Sequence, residues 1–446
     1  MKIYSTYGVK IKYYNSVFNE TIRVYRDAVD FFINVCHAEW NRLSAVNSAH
    51  ERMRLVENLC HVTDNNRNVI YVDFDRLFYK LPSYIRRAAI VEALGKMSSY
   101  KSSLANWEAS DSKTRGRKPG FPKAGYVYPC MYRDNMYKQT GTYEAKIKVY
   151  IRNTWDWITV RLRKSDVDYI NRRCKDRKEC APTLQKRGHE WYLDFPFEET
   201  VALNETNIYE QTIVAVDLGM NSAATVSVMR SDGTVLGRRF LHLPKEYDSL
   251  DHSVNRIKKA QQHGNRKTPR LWAIAKGIND DISVKTAQFI VDTAIMYNAD
   301  VIVMEHLDLK GKKRGSKKQK LHMWRARYVQ EMVTSKVHRI GIRVSHVCAW
   351  GTSRLAYDGS GSVLRGKEAE LDCYSLCRFP NGKVYNCDLS ASYNIGSRYF
   401  IREILKSLPE RERLALEAKA PEAARRSTCT LSTLISLNAV ITAQTA

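Results

Sequence analysis

Two short stretches set the frame for this chain. Ile213-Val214-Ala215-Val216 runs straight into Asp217, and Val301-Ile302-Val303-Met304 runs straight into Glu305. Four consecutive apolar residues describe a strand covered on both faces, as at the centre of an α/β sheet. Each run ends on an acid. Chemistry in open α/β sheets gathers at the carboxyl ends of strands, so the format puts both acids at that rim. Either acid alone reads as an ordinary solvated strand end. Together, with Gly219 letting the chain turn sharply after Asp217, they read as a site.

A third acid, Asp388, stands in CDLSASYNIG where a helix should begin. Alone it would be an N-cap, a position that favours Asp. Phosphodiester hydrolysis by two divalent ions, about 3.5–4 Å apart, needs several carboxylates from different elements. Mg²⁺ keeps some of its waters and takes only one or two protein carboxylates. Asp217, Glu305 and Asp388 would make such a set, with no covalent nucleophile required.

Around these motifs the periodicity sorts the chain into segments. Residues 1–15 alternate as a strand, with Ile3, Tyr7, Val9, Ile11 and Tyr13 on alternate positions. Ile22, Tyr25, Ala28, Val29, Phe32, Val35 and Cys36 then recur at helical steps, as do the apolar residues of 83–107. A loop rich in Gly, Pro and cations covers 110–123, followed by strand-like stretches at 143–151, 157–164 and 189–197. Residues 1–15 and 121–205 read as one β-barrel-like unit into which 16–120 is inserted. Beyond a polar stretch at 200–211, strands and helices alternate: strands at 213–229 and 234–243, a helix at 270–298, strands at 300–307 and 342–350 around a helix at 321–341, and a last helix at 388–406. Residues 410–446, rich in Ala, Ser and Thr and without an aromatic, read as a mobile tail.

Charge narrows the class of partner. With 72 Lys+Arg against 47 Asp+Glu, the formal net charge is +25, a field that draws polyanions. No basic amphipathic helix with a clean apolar face, no apolar run long enough to cross a bilayer and no secretory leader stand out, so a membrane partner is not expected and a cytoplasmic location is. Ten unevenly spaced cysteines in 446 residues do not form a disulfide framework.

AVDLGMNSAATVSV, VIVMEHLDLKG and YNCDLSASYNIG resemble the three split active-site motifs of the RuvC domain in TnpB and the miniature type V CRISPR effectors. MWRARYVQEMVTSKVHRIGIRVSHVCAWGTSR resembles the helix–strand segment ahead of that family's zinc-binding insert, and LPSYIRRAAIVEALGKM with the GRKPGFPK loop resembles its recognition region. The likeness covers roughly 1–408. It implies a multidomain α+β chain: a β-barrel wedge domain (1–15 and 121–205), an inserted helical recognition domain (16–120), an RNase H-like (RuvC) α/β nuclease domain (206–350 and 387–409) and a target-nucleic-acid-binding insert (351–386). It also implies an RNA-guided DNA endonuclease, with Asp217, Glu305 and Asp388 as catalytic residues and ligands of two Mg²⁺ ions, that pairs a guide RNA with target double-stranded DNA beside a short duplex motif read by the protein. A homodimer would supplement a small recognition lobe. The chain departs from the pattern at the insert. The first Cys-x-x-Cys knuckle is replaced by RLAYDGSG, and the second survives as Cys373 and Cys377 with three residues between the thiols. A closed zinc site takes four ligands; Cys387 and Cys348 could complete one, but an insert folded without metal is expected.

Candidate nucleic-acid contacts are Arg86, Arg87 and Lys101 on the helical segment, Arg115, Arg117, Lys118 and Lys123 in the loop, and Arg161, Arg163 and Lys164 on the barrel. Trp107, Tyr100, Trp155 and Trp157 are aromatics beside cations, able to stack on bases, with core packing the plainer role for the tryptophans. GKKRGSKKQK at 311–320, six cations without an acid, reads as a loop that gathers the DNA strand. Two other functions fit the same residues: a guided binder that no longer cuts, and an unguided junction-type nuclease, for which the 200 residues ahead of the acids are more than is needed.

Overall fold

A computed structural model of the chain describes residues 1–112, 115–219, 222–307, 324–425 and 427–445. The cationic stretch 311–320 lies outside the described residues. The chain divides into two compact units, one formed by 2–199 and the other by 200–446 with Met1.

In the first unit β1 (Lys2–Lys10) leads into α1 (Val17–Ala38), α2 (Trp40–Ser44), α3 (Ala49–Cys60), α4 (Asp73–Leu77) and the long α5 (Ser83–Ala109). Strands β2 (Tyr137–Gly141), β3 (Glu144–Ile151) and β4 (Thr154–Arg161) follow, then α6 (Lys164–Arg173), β5 (Lys178–Glu179), β6 (Thr183–Arg187) and β7 (Glu190–Thr200). The strand expected at 157–164 stops at Arg161, because Arg163 and Asp166 open α6 with an ion pair at 2.8 Å. The apolar stripe of α1 is buried as its spacing predicts, from Phe18 through Cys36. Helices and strands share one continuous core, in which Phe32 and Phe74 of the helices belong with Ile147 and Val149 of β3 and Leu193 of β7.

The expected β-barrel is corrected to two open sheets. One has the order β1-β7-β5 with β6 also on β7, the other the order β2-β3-β4. Their ends meet at an isolated bridge, Ile11 with Leu162, flanked by backbone hydrogen bonds from Lys12 to Arg161 and from Arg163 to Lys10. The physical reason is that β5 is two residues long and α1 packs against β3, so no ladder runs round to close the interior.

The second unit is built on a five-stranded mixed sheet, β8 (Thr212–Asp217), β9 (Ala224–Arg230), β10 (Val235–Leu241), β11 (Val301–His306) and β12 (Arg343–Cys348), ordered β10-β9-β8-β11-β12. The first three are antiparallel to one another; β8, β11 and β12 run parallel. Helices α7 (Pro244–Gln262), α8 (Pro269–Met296) and α9 (Ala326–Val337) form part of the same unit, α8 and α9 covering one face through Ala287, Ile290 and Val333. On the other face lies α10 (Cys387–Ser407), buried along nearly its whole length against Ile213, Ala215, Val301 and Val303. Val214 and Ile302 point to the first helix layer and Ala215 and Val303 to the second, which is why both four-residue runs are apolar throughout. A small sheet of β13 (Leu364–Arg365), β14 (Leu376–Arg378) and β15 (Val384–Asn386) makes up the insert.

The tail expected to be mobile is instead helical and packed: α11 (Glu410–Lys419), α12 (Pro421–Ala424) and α13 (Leu431–Thr445). Leu416, Leu431, Leu434 and Leu437 are buried against α10, in one cluster with Phe400 and Ile404. Apolar burial outweighs the low aromatic content there.

Candidate active site

Val216 of β8 pairs with Met304 of β11, so Asp217 and Glu305, each the next residue, emerge side by side at the carboxyl ends of two adjacent parallel strands. After Asp217 the chain must double back. A Cβ on Gly219 would lie 2.7 Å from the Ser222 carbonyl oxygen, closer than real Cβ atoms come, which accounts for the glycine. Asp388 comes from α10. The cap of that helix is Asn386, whose side-chain oxygen accepts from the Leu389 amide at 2.8 Å, so Asp388 is not spent on capping. What brings α10 over the rim is its small residues. A Cβ on Gly396 would meet Met229 Sδ at 2.5 Å and Ala215 Cβ at 3.2 Å, so only glycine allows the helix this close to β8 and β9.

The three acids sense one another. Burial, then the neighbouring Glu305 and Asp388 carboxylates, push the Asp217 carboxyl well above the ordinary aspartate range, while Arg365 pulls it down. Burial raises Glu305 as well; a hydrogen bond from Thr352 and the charge of Arg398 oppose that. Asp388 is raised by burial and drawn back by Arg365 and His242. All three keep some surface open to solvent. Carboxylates crowded where water is scarce favour a neutralising cation. Among the described residues no group of three or more His, Cys, Asp or Glu side chains lies close enough to share one ion. The arrangement fits ions that keep part of their water shell, each taking one or two carboxylates.

Five neighbours of the acids were not marked as site residues by the sequence. The Gln330 side chain donates to the Glu305 carbonyl at 2.8 Å, and the Thr352 hydroxyl donates to Glu305 Oε1. Asn394 of α10 donates to the carbonyls of Thr352 and Leu355 at 3.0 and 2.9 Å, fixing that turn. Arg398, three turns into α10 and 4% exposed, donates to the Cys348 and Trp350 carbonyls at 2.8 Å each, to the Ser427 carbonyl at 2.6 Å and to the Cys429 carbonyl at 3.2 Å. Arg365 reaches the site from the insert with its guanidinium anchored on the Ser353 carbonyl. None belongs to a compact motif. Gln330, Thr352 and Asn394 stood in stretches the sequence singled out, but nothing there marked them individually.

The candidate zinc ligands do not fit a zinc site. Cys373 is exposed with its sulfur 2.7 Å from the Ser375 hydroxyl, whereas Cys377 is buried and donates to the Tyr385 carbonyl at 3.4 Å. Cys377 and Cys387 lie in the insert's own small core with Phe379, and Cys348 is exposed on β12. No fourth thiol joins them.

The candidate nucleic-acid residues divide. Arg86 is corrected: it is 7% exposed and paired with Glu57 at 2.9 Å, tying α5 to α3, because a buried guanidinium needs a buried acid. Arg87 shares Glu57 at 3.1 Å but stays half exposed. Lys101 is half-buried, and Arg117, Lys118 and Lys123 are exposed. Arg115 stacks over Trp107 at 4.2 Å, and Trp107 Nε1 donates to the Gly116 carbonyl at 2.7 Å, so the loop is folded onto α5. Arg161 pairs with Glu144 at 3.0 Å and Arg163 with Asp166 at 2.8 Å, both on the surface. Tyr100 and Trp155 pack on the core, whereas Trp157 does not. Among the described residues no helix is long and apolar enough to cross a membrane.

The sequence profile of the Aq_aa04 family matches residues 5–151. Over 235 residues the chain is 26% identical to the TnpB-like protein aq_aa05 of Aquifex aeolicus (strain VF5), spanning 47% of this chain and 74% of that protein. The fold is similar to that of the Cas12f1 chain in a cryo-EM structure of its complex with sgRNA and target DNA: TM-score 0.51 and 12% identity, over 84% of this chain and 81% of that one. In sequence the chain is similar to a TnpB-like protein, and in fold to a Cas12f1 chain.

Proposed function

We propose that this protein is an RNA-guided DNA endonuclease whose RNase H-like, RuvC-type domain cuts phosphodiester bonds with Asp217, Glu305 and Asp388. The observation that carries the reading is the convergence of these acids at one sheet rim, with burial and mutual repulsion holding the Asp217 carboxyl above its ordinary range. The likeness to a TnpB-like protein supports the guided part.

Magnesium bound by the three carboxylates would supply a polarised water and positive charge at the leaving oxygen. The protein's own residues set the stage for that. Thr352 and Gln330 hold the Glu305 side chain and backbone in place, and Arg398 adds a compensating charge. Arg365, on the insert, offers a cation to a scissile phosphate at the same rim where it draws down Asp217 and Asp388. Guide RNA and target duplex would be met by Arg87, Lys101, Arg115, Arg117, Lys118, Lys123, Arg161 and Arg163, the protein reading a short duplex motif while base pairing reads the rest. Pairing of two copies to enlarge the recognition surface and action in the cytoplasm belong to the same proposal.

The test has two stages. The protein purified from its host should carry a discrete RNA, whose sequence identifies the guide. Loaded with a guide and given a matched DNA target with Mg²⁺, it should cut, and Asp217→Ala should not. Wild type that holds RNA and binds the target without cutting would make it a guided binder; cutting with no RNA at all would make it a structure-selective nuclease.

A further inference from the structure

Strand register puts one more polar side chain beside the acids. Thr225 of β9 stands directly opposite Asp217 of β8, and on its other side stands Phe240 of β10. Alternation along β9 fixes the face on which it lies. Val226 and Val228 join the core beneath α8 and α9, as Val216 and Met304 do, whereas Met229 joins Ala215 and Val303 beneath α10. Thr225 therefore shares the α10 side of the sheet with Asp217 and Glu305, the side from which Asp388 approaches.

The hydroxyl of this threonine has no purpose within the fold. Thr225 is 1% exposed, and its Oγ1 has no hydrogen-bond partner among the described residues. A buried hydroxyl left unpaired lowers stability, and buried polar groups are almost always satisfied. Valine has the same shape without that cost, and the nearest residues on the strand are Ala224, Val226 and Val228. Directly opposed residues of an antiparallel pair have Cβ atoms about 4.5–5.5 Å apart, so the hydroxyl borders the space in which the Asp217 carboxylate senses Glu305 and Asp388. Ser227, next on the same face, is also buried with an unpaired hydroxyl, but the residues in its row are Ala215 and Val303 instead of acids. It shares the cost without the position.

We infer that Thr225 is a positioning residue of the acidic site, its hydroxyl accepting from the hydration shell of a divalent cation at Asp217 and donating to the Asp217 carboxylate. Carboxylates fill only part of the sphere around an ion such as Mg²⁺, and neighbouring polar groups orient what fills the rest. One hydroxyl can serve both sides at once, because its lone pairs accept while its O–H donates. Threonine, held between two neighbouring strands and stiff at χ1, keeps that group in a fixed place. The inference deepens the proposed function and rests on it for the cation.

The full-length protein, as purified, is melted in chelator and over a series of MgCl₂ concentrations, followed by tryptophan fluorescence. Asp217→Ala supplies the baseline, the response to Mg²⁺ that does not come from the acids. Above that baseline, Thr225→Val should need about ten-fold more Mg²⁺ than wild type to reach half of its rise in melting temperature, as loss of an outer-shell partner does. In chelator it should melt no lower than wild type, because the unpaired hydroxyl has gone. Thr225→Ser keeps the hydroxyl and should respond to Mg²⁺ nearly as wild type does. Ser227→Ala should leave the Mg²⁺ midpoint where it is. Thr225→Ala removes the same hydroxyl and keeps the test open should valine pack badly. Equal midpoints for wild type and the variants without a hydroxyl at 225 would overturn the inference. So would a Thr225→Ser as impaired as Thr225→Val, since the methyl group alone would then matter. Cutting of a guided target is measured alongside. A wild type that never cuts, with its Mg²⁺ midpoint still dependent on Thr225, sinks the nuclease reading alone. A wild type that cuts, with Thr225→Val equal to it in rate and midpoint, sinks this one alone. A wild type that answers Mg²⁺ only as Asp217→Ala does sinks both.

Discussion

Asp388 is available for chemistry because its neighbour two positions back does the capping. The motif that contains it was legible in the sequence, but whether the acid served the helix end or the site was not; only the hydrogen bond from Leu389 to Asn386 separates the two. Asp217 and Glu305 were readable because a doubly buried strand leaves a plain trace of consecutive apolar residues. Thr352, Arg365 and Arg398 left none, since single polar residues brought in from 47 or more positions away carry no periodicity. Two predictions belong at this scale. Asp217 has a folded-state pKa above its unfolded value, so its contribution to stability is complete below the usual carboxylate range and is lost as pH rises through the raised value. In chelator, Asp217→Asn should therefore melt with wild type in acid and about 2–4 °C above it at neutral pH, with Mg²⁺ narrowing the gap. Coincident melting curves at neutral pH would count against the crowded site. Thr352→Val removes a hydrogen bond to the Glu305 carboxylate, a loss of about 1.5–3 kcal/mol, and should slow cutting at least ten-fold without unfolding the protein. Single-turnover cleavage rates beside melting curves check this; an unchanged rate would mean the hydroxyl does not position Glu305.

At the level of elements, the strands and long helices of the second unit follow the periodicity closely, from β8 and β11 to α8 and α10. The failures have physical causes. The first unit's strands alternate as barrel strands would, but alternation carries no information about closure, and a two-residue β5 leaves the sheets open. The C-terminal segment was misread because its leucines, at 431, 434 and 437, were outvoted by the small polar residues between them. Their three-residue spacing was a helix stripe all the same. Leu434→Ala should lower stability by about 2–4 kcal/mol, as burial in the α10 cluster requires, whereas a mobile tail would show no change in a denaturant melt. Gly396→Ala pushes α10 off β8 and β9 and should cost about 1–3 kcal/mol, with cutting reduced further than stability alone explains because Asp388 rides on that helix. Wild-type stability in that variant would show that the close approach relaxes freely.

Taken whole, the molecule is a strongly cationic pair of compact units in which the acids form a small island. The net charge of +25 pointed to a polyanion from the sequence alone, although it could not say which cations are free. Arg86 shows the limit: a basic residue beside basic residues turned out to be the internal partner of Glu57. Binding of the guide should accordingly weaken by about 10³-fold or more between roughly 50 and 200 mM salt if six or more phosphates are held. A filter-binding series in KCl measures it, and a flat response would mean that the charge serves something other than RNA.

The Arg398 guanidinium gathers four backbone carbonyls from two distant segments, 348–350 and 427–429. Lysine in its place has three donors on one point and no planar fork, so at least one carbonyl would be orphaned. The strand end beside Glu305 would then come adrift on warming before the rest of the fold lets go. That makes Arg398→Lys the natural choice for a heat-sensitive allele: on the proposed function, target binding would persist at any growth temperature and cutting would fail only in the heat.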